Sequence, residues 1–400
     1  VITAAILLSV YAVIAFGRAP LVRLDRAGAA IVGALLMVVA GSISFDEAVR
    51  AVDVHTIVLL FGMMVITAHL RLAGGFTALA RFLSSRITHP AALLVALVLV
   101  GGLLSAFFVN DTICLVFTPI ALDVAAARRH RPLPYLLALA TASNIGSVAT
   151  VTGNPQNMLI GSLSRLPFRT FASALFPVAL AGLALDAALL WLMFRGDLHR
   201  SAEDEARIQP VRPHWPLLVK SLLVTAGVLT GFLLGYDTAV VAMAGAAALL
   251  VTRRVKPEKV YRAVDWDLLM LFVGLFVIVG AAEKSGLSVR VFDTLRPLGV
   301  HTVAGLTVAA ALLSNVISNV PAVMLFTHII PLTPDPQRAW LTLAMASTLA
   351  GNLTILGSIA NLIVVEGARR RGVAVSFGEY ARVGLPLTLA TLAFGAWWLS

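Results

Sequence analysis

Charge is scarce in this chain. Of its 400 residues only 12% are Asp, Glu, Lys or Arg, while 59% are hydrophobic. A water-soluble protein cannot cover its surface with so few charges. No polar stretch is long enough to fold as a separate domain. Cysteine is nearly missing: Cys114 stands alone, which excludes a disulfide within the chain and any cluster of thiols. The catalytic patterns G-x-S-x-G and H-E-x-x-H do not occur, so nothing points to an intramembrane hydrolase or another enzyme. The net charge of +10 does not call for nucleic acid, because basic cytoplasmic loops account for it in a membrane protein.

Long apolar runs are what the chain has. Several approach the ~20 residues that cross a bilayer core. The opening stretch, "VITAAILLSVYAVIAFG", reads as a span rather than a signal peptide, since it lacks a basic start and a small-residue cleavage site. The expected class is an all-α polytopic membrane protein embedded in the lipid bilayer.

Three pairs of segments repeat in the same order. "AVDVHTIVLLFGMMV" (51–65) resembles "AVDWDLLMLFVGLFV" (263–277), and "LLSAFFVNDTICLVFT" (103–118) resembles "LLSNVISNVPAVMLFT" (312–327). "ASNIGSVATVTGNPQN" (142–157) matches "ASTLAGNLTILGSIAN" (346–361) in its Ser, Thr, Gly and Asn positions. Apolar low complexity does not place polar residues in step. The first half offers spans at 1–16, 25–43, 54–73, 134–163 and 170–194, with a re-entrant hairpin over 89–129. The second offers 216–235, 238–252, 264–282, 338–367 and 380–399, with a hairpin near 302–332. Five crossings per half turn the second copy upside down, giving two inverted repeats, 1–197 and 215–400, joined by a cytoplasmic linker, 198–214. Loops assigned to one side on this scheme hold 22 of the 30 basic residues. That side is cytoplasmic by the positive-inside tendency, which leaves both ends of the chain outside, as expected for a bacterial inner-membrane protein. The arms of the second hairpin are too short to span.

The third pair contains helix breakers where helices ought to cross. Irregular backbone is costly in hydrocarbon and survives where protein or water satisfies it. Inverted repeats bring such breaks together at mid-membrane, where helix termini and freed carbonyls bind solutes. The candidate binding residues are Asn110 and Thr112 at the first hairpin tip, and Ser314, Asn315, Ser318 and Asn319 at the second. Ser143, Asn144, Thr152, Asn154 and Asn157 come from the first break, and Thr354, Ser358 and Asn361 from the second. Thr150, Ser347 and Asn352 belong to the same polar clusters. Amides and hydroxyls supply both donors and acceptors. Asp111 at the first tip and Asp186 deep in a span are the candidates for ion coupling, to a proton or sodium ion. For Asp186 a pairing role stands equal to a proton site. Asp123 and Glu366 are expected to pair with nearby arginines.

The tips "FFVNDTICLVFTPI" and "LSNVISNVPAVMLF", with the two broken helices, resemble the ion transporter superfamily. That group includes arsenite permeases, sodium/proton antiporters of the NhaD type, citrate carriers and sodium–dicarboxylate symporters. Within it, the arsenite permeases are the branch that the Asn-Asp of one tip and the Asn-Val-Pro of the other resemble most. The resemblance implies two re-entrant hairpins, a scaffold that forms a homodimer and a transport part that moves as an elevator. It also implies export of arsenite or antimonite, driven by the proton gradient or membrane potential, and a soluble arsenite-stimulated ATPase as partner. None of the polar clusters contains Lys or Arg, and neutral arsenous acid displays three hydroxyls that amides can satisfy. A sodium-coupled carrier of dicarboxylate or inorganic anion, and a sodium/proton antiporter, remain open on the residues alone. No cofactor beyond a coupling ion is expected.

Overall fold

In lipid a backbone must satisfy its own hydrogen bonds, and a helix does so within one segment. Helices are accordingly the only regular elements among the described residues. The computed structural model describes residues 2–16, 24–198, 213–295, 297 and 299–400. Most of the expected linker 198–214 lies outside them, as do residues 17–23.

The first half contains α1 (Ile2–Phe16), α2 (Arg26–Val39), α3 (Phe45–Ala51), α4 (Val54–Leu72) and α5 (Gly75–Arg86). It continues with α6 (Pro90–Phe107), α7 (Asn110–Ala127), α8 (Leu133–Ser147), α9 (Pro155–Ser164) and α10 (Phe168–Leu198). The second half contains α11 (Trp215–Leu233), α12 (Thr238–Leu250), α13 (Pro257–Tyr261), α14 (Trp266–Lys284) and α15 (Leu287–Leu295). It ends with α16 (Val303–Ile317), α17 (Asn319–Phe326), α18 (Pro336–Leu349), α19 (Ile359–Arg369) and α20 (Phe377–Leu399). Every expected span has its helix. The short helices α3, α5, α13 and α15 were not legible, because their polarity resembles that of loops. Six helices, α4, α6, α7, α10, α11 and α14, are long and apolar enough to cross a membrane.

Asp53 and Asp265 begin α4 and α14 as helix caps, each accepting from a backbone N–H three residues on. Lys284, 2.6 Å from Glu47, together with Ser44, holds the half-buried Glu47 carboxyl down at about 2 and ties α3 to the end of α14.

Two groups of helices emerge from the packing. In the first, α2 lies along α14 and α12 lies along α4, with α1 and α11 outside them. Glycine permits both close approaches. A methyl at Gly62 would lie 2.8 Å from the backbone of Ala242, and one at Gly274 would lie 2.5 Å from that of Ala30. Gly62 and Gly274 are 212 positions apart, and so are Ala30 and Ala242. The same contact is thus made twice with the halves exchanged.

In the second group, α8 packs on α6, α7 and α10, and α18 packs on α16, α17 and α20. The hairpin arms differ from expectation in one respect. α16 has 15 residues and α17 only 8, but α6 and α7 have 18 each, enough to cross. Length therefore does not mark the first hairpin. Between them the Asn110 N–H donates to the carbonyl of Gly153 (3.2 Å), within the break between α8 and α9. At the end of α19 Glu366 pairs with Arg369 (2.8 Å) and Arg370 (3.1 Å), as expected, and Arg371 pairs with Asp123 of α7.

Candidate transport site

Each break frees carbonyls that the helix would have satisfied. Asn157 Nδ2 donates to the carbonyls of Ser147 (3.0 Å) and Thr150 (3.1 Å). Asn361 Nδ2 donates to those of Gly351 (2.7 Å) and Thr354 (3.0 Å). The two braces are the same device, with every participant shifted by 204 positions. Both amide hydrogens of each asparagine are committed to backbone. Asn157 and Asn361, expected as solute ligands, thus give their amide hydrogens to the breaks, where freed buried carbonyls call for donors. Asn154 and Ser358 are caps: their side chains accept from the N–H of Asn157 (2.8 Å) and Ala360 (3.2 Å). Replacing Asn157 with Ala leaves the carbonyls of Ser147 and Thr150 only their longer bonds, from Asn154 Nδ2 (3.3 Å) and the Gly153 N–H (3.4 Å). The expected loss is about 1–3 kcal/mol of stability, read as a lowered thermal midpoint of the purified protein; an unchanged midpoint would mean that Asn157 does not brace the break.

Asn144 is the hub between the halves. Its Nδ2 donates to Asn352 Oδ1 (2.9 Å) and Asn361 Oδ1 (3.0 Å). Its Oδ1 accepts from Asn110 Nδ2 (3.0 Å) and Ser358 Oγ (2.9 Å). An asparagine side chain has two donor hydrogens and two acceptor lone pairs, and here all four are used. The first tip, the first break and the second break thus meet at one buried side chain. A second knot lies beside it. Asn154 Nδ2 donates to Ser147 Oγ (2.9 Å) and to Thr348 Oγ1 (3.2 Å), which also accepts from Gln156 Nε2 (3.2 Å).

The second hairpin tip is less satisfied. Asn315 Nδ2 donates to the carbonyl of Ala350 (2.9 Å), yet its Oδ1 has no partner. Asn319 Oδ1 and Ser314 Oγ are also buried and unpartnered. A methyl at Gly357 would lie 2.8 Å from Asn315 Oδ1, so that oxygen faces the second break. Ser318 joins the two arms with φ +77° and ψ 158°, a conformation that strains any residue but glycine.

The other expected residues make no side-chain hydrogen bond to these asparagines. Successive residues of a helix point about 100° apart, so when Asn110 turns to Asn144, Asp111 and Thr112 turn away. They line a cavity of about 60 Å³ against the first helix group, with Thr67, Arg71 and Asp265. Ser143 donates to the carbonyl of Ala140 (2.9 Å) and accepts from Cys114 Sγ (3.1 Å). Thr152 Oγ1 lies 3.2 Å from Thr150 Oγ1. Thr354 supplies its carbonyl to Asn361. Asp186 is fully buried on α10, with Thr141 Oγ1 at 2.9 Å from both carboxyl oxygens. The residues that sequence reasoning missed are Thr141, Ser147, Gln156 and Thr348. Ser147, Gln156 and Thr348 sit inside the two break-bearing segments and were within reach; nothing marked Thr141.

A family model described as citrate transporter (CitMHS) matches residues 11–350. The silicon efflux transporter of Oryza sativa subsp. japonica is 33% identical, over 95% of this chain and 93% of that protein. A putative transporter named arsB, from Dictyostelium discoideum, is 24% identical over 93% and 86%. Among solved structures, the YdaH transporter of Alcanivorax borkumensis superposes with a TM-score of 0.62 at 17% identity, covering 99% of this chain and 96% of its own. That likeness concerns the fold alone. Broken helices, hairpin tips and a family match over most of the length agree: the chain is a membrane transporter of the CitMHS citrate-transporter family, within the ion transporter superfamily.

Proposed function

We propose that this chain exports an uncharged, hydroxyl-rich metalloid acid, arsenous or antimonous acid, by alternating access coupled to the proton gradient or membrane potential. The observation that carries the reading is the set of buried, unpartnered oxygens at the second tip, Asn315 Oδ1, Asn319 Oδ1 and Ser314 Oγ, the first of them turned to the second break, together with an amide network that contains no Lys or Arg. Buried amide oxygens without donors call for hydroxyls, and a neutral solute needs no counter-charge. Two relatives are named for silicon efflux and for arsB. Silicic acid is likewise a small neutral hydroxide.

Equal-offset contacts support two inverted repeats, 1–197 and 215–400, with α1, α2, α4, α11, α12 and α14 as scaffold and the hairpins and broken helices as the moving part. In this scheme the cavity beside Asp111, Arg71 and Asp265 is the cytoplasmic approach to the site. A homodimer through the scaffold and an ATPase partner belong to the same reading.

A citrate carrier is the second reading, favoured by the description of the matching family. Against it, the one guanidinium in the approach cavity faces two carboxylates, which repel a polyanion. Proteoliposomes loaded in turn with arsenous acid, silicic acid and citrate, with and without sodium, test the choice. The expected result is metalloid flux that follows the pH gradient or voltage and ignores sodium. Sodium-dependent citrate flux with no metalloid flux would replace the proposal.

A further inference from the structure

Asp186 is a carboxyl group at 0% exposure in the middle of α10, and no Lys, Arg or His among the described residues pairs with it. An unpaired carboxylate there is expensive. Its one close partner, Thr141 Oγ1, has a single hydrogen to give. Yet that oxygen sits 2.9 Å from both Asp186 oxygens and 2.8 Å from the carbonyl of Leu137. All contacts are satisfied together when the carboxyl carries a proton: Asp186 donates to Thr141 Oγ1, and Thr141 donates to Leu137.

Two further features surround it. The buried hydroxyl of Tyr380, on α20, has no hydrogen-bond partner and lies within electrostatic range of Asp186 and of Cys114. Tyr380 stands one residue after Glu379, which meets Arg131 (3.0 Å) at the exposed end of α20; Arg131 also meets Asp197 (3.4 Å). On the other side, the carbonyl of Thr141 accepts from Asn352 Nδ2 (3.2 Å), whose Oδ1 accepts from the hub Asn144. α8, which carries Thr141 and Asn144, joins the buried acid to the amide network. The titratable group beside Asp186 on the elements packed against α10 is thus Tyr380 of α20, with Arg131, Glu379 and Asp197 at the surface. Thr388 of α20, also buried with an unpartnered hydroxyl, lies one turn from Thr391, whose methyl abuts Gly182 of α10.

We infer that Asp186 is the proton-carrying residue of the transport cycle, coupled to the solute through Thr141 and Asn352. The proton that Asp186 takes from water on one side is returned to water, with no other bond changed. This deepens the proposed export of a neutral solute, which needs a proton to be driven. Asp111, which faces the approach cavity, has no such link.

Infrared difference spectra of purified protein across a pH titration decide the point without any solute. The wild type should show the carbonyl stretch of a protonated carboxylic acid. Asp186→Asn should lose it, Asp111→Asn should keep it, and Thr141→Val should shift it by removing the acid's acceptor. With arsenous acid as the probe in proteoliposomes, Asp186→Asn should retain exchange down a gradient and lose at least tenfold of its response to pH. If the band survives in Asp186→Asn, the assignment falls, whatever the cargo. It falls equally if that variant answers a pH gradient as the wild type does. A wild type that shows the band but moves no metalloid would sink the proposed cargo and leave the proton site standing.

Discussion

Asn144→Asp is expected to abolish transport and to cost about 3–6 kcal/mol of stability. The change is nearly isosteric, so packing does not confuse the result. It replaces an NH2 group with an oxygen. Asn352 Oδ1 and Asn361 Oδ1 now accept from Asn144 at 2.9 and 3.0 Å. After the change each would face another acceptor, and a buried charge would stand with no cation beside it. A buried group stripped of its partner costs about 1–3 kcal/mol, and more for a charge. Asn110 and Ser358 would still donate to the remaining oxygen, so the damage falls on the junction with the second break. Thermal unfolding in detergent and solute exchange in proteoliposomes measure the two parts. A variant with wild-type midpoint and flux would mean that the halves are not joined at Asn144.

Gly146→Ala is expected to do comparable harm through shape alone. A methyl on Gly146 would land on the backbone of Gly102, where α6 and α8 make their closest approach. Backbone cannot swing aside as a flexible side chain does, so the helices must separate, at a cost of about 1–3 kcal/mol or more. Separation also carries the first tip off its seat on Gly153. The control is Gly227→Ala in α11, where an added methyl meets nothing within 4 Å and should gain up to about 1 kcal/mol from helix propensity. Equal midpoints for the two variants would show that the α6–α8 contact is looser than its geometry.

Much of this fold was legible because lipid imposes its own grammar. Spans follow from apolar length, and a break in a span is conspicuous when it carries Gly, Pro and Asn together. The in-step polar positions of 142–157 and 346–361 pointed to paired breaks, and Asn157 and Asn361 do hold equivalent carbonyls. That their amide hydrogens go to backbone was not legible, because a residue pattern shows that an amide is needed without telling backbone from solute as its partner. Asp111 and Thr112 were placed with Asn110 for a similar reason. Adjacency at a tip says nothing of direction, and the start of α7 sends neighbours to opposite sides.

The amino-acid sequence by itself determined that this is a helical membrane protein with two interrupted helices and amide-rich tips, since hydropathy and helix breaking are local properties. Which amides brace the backbone, which oxygens stay unpartnered and where Asp186 finds Thr141 were decided only by the packing of α8 against α7, α10, α18 and α19. Those contacts join residues up to 217 positions apart, and the direction of a side chain across such a distance is fixed by the neighbours that enclose it.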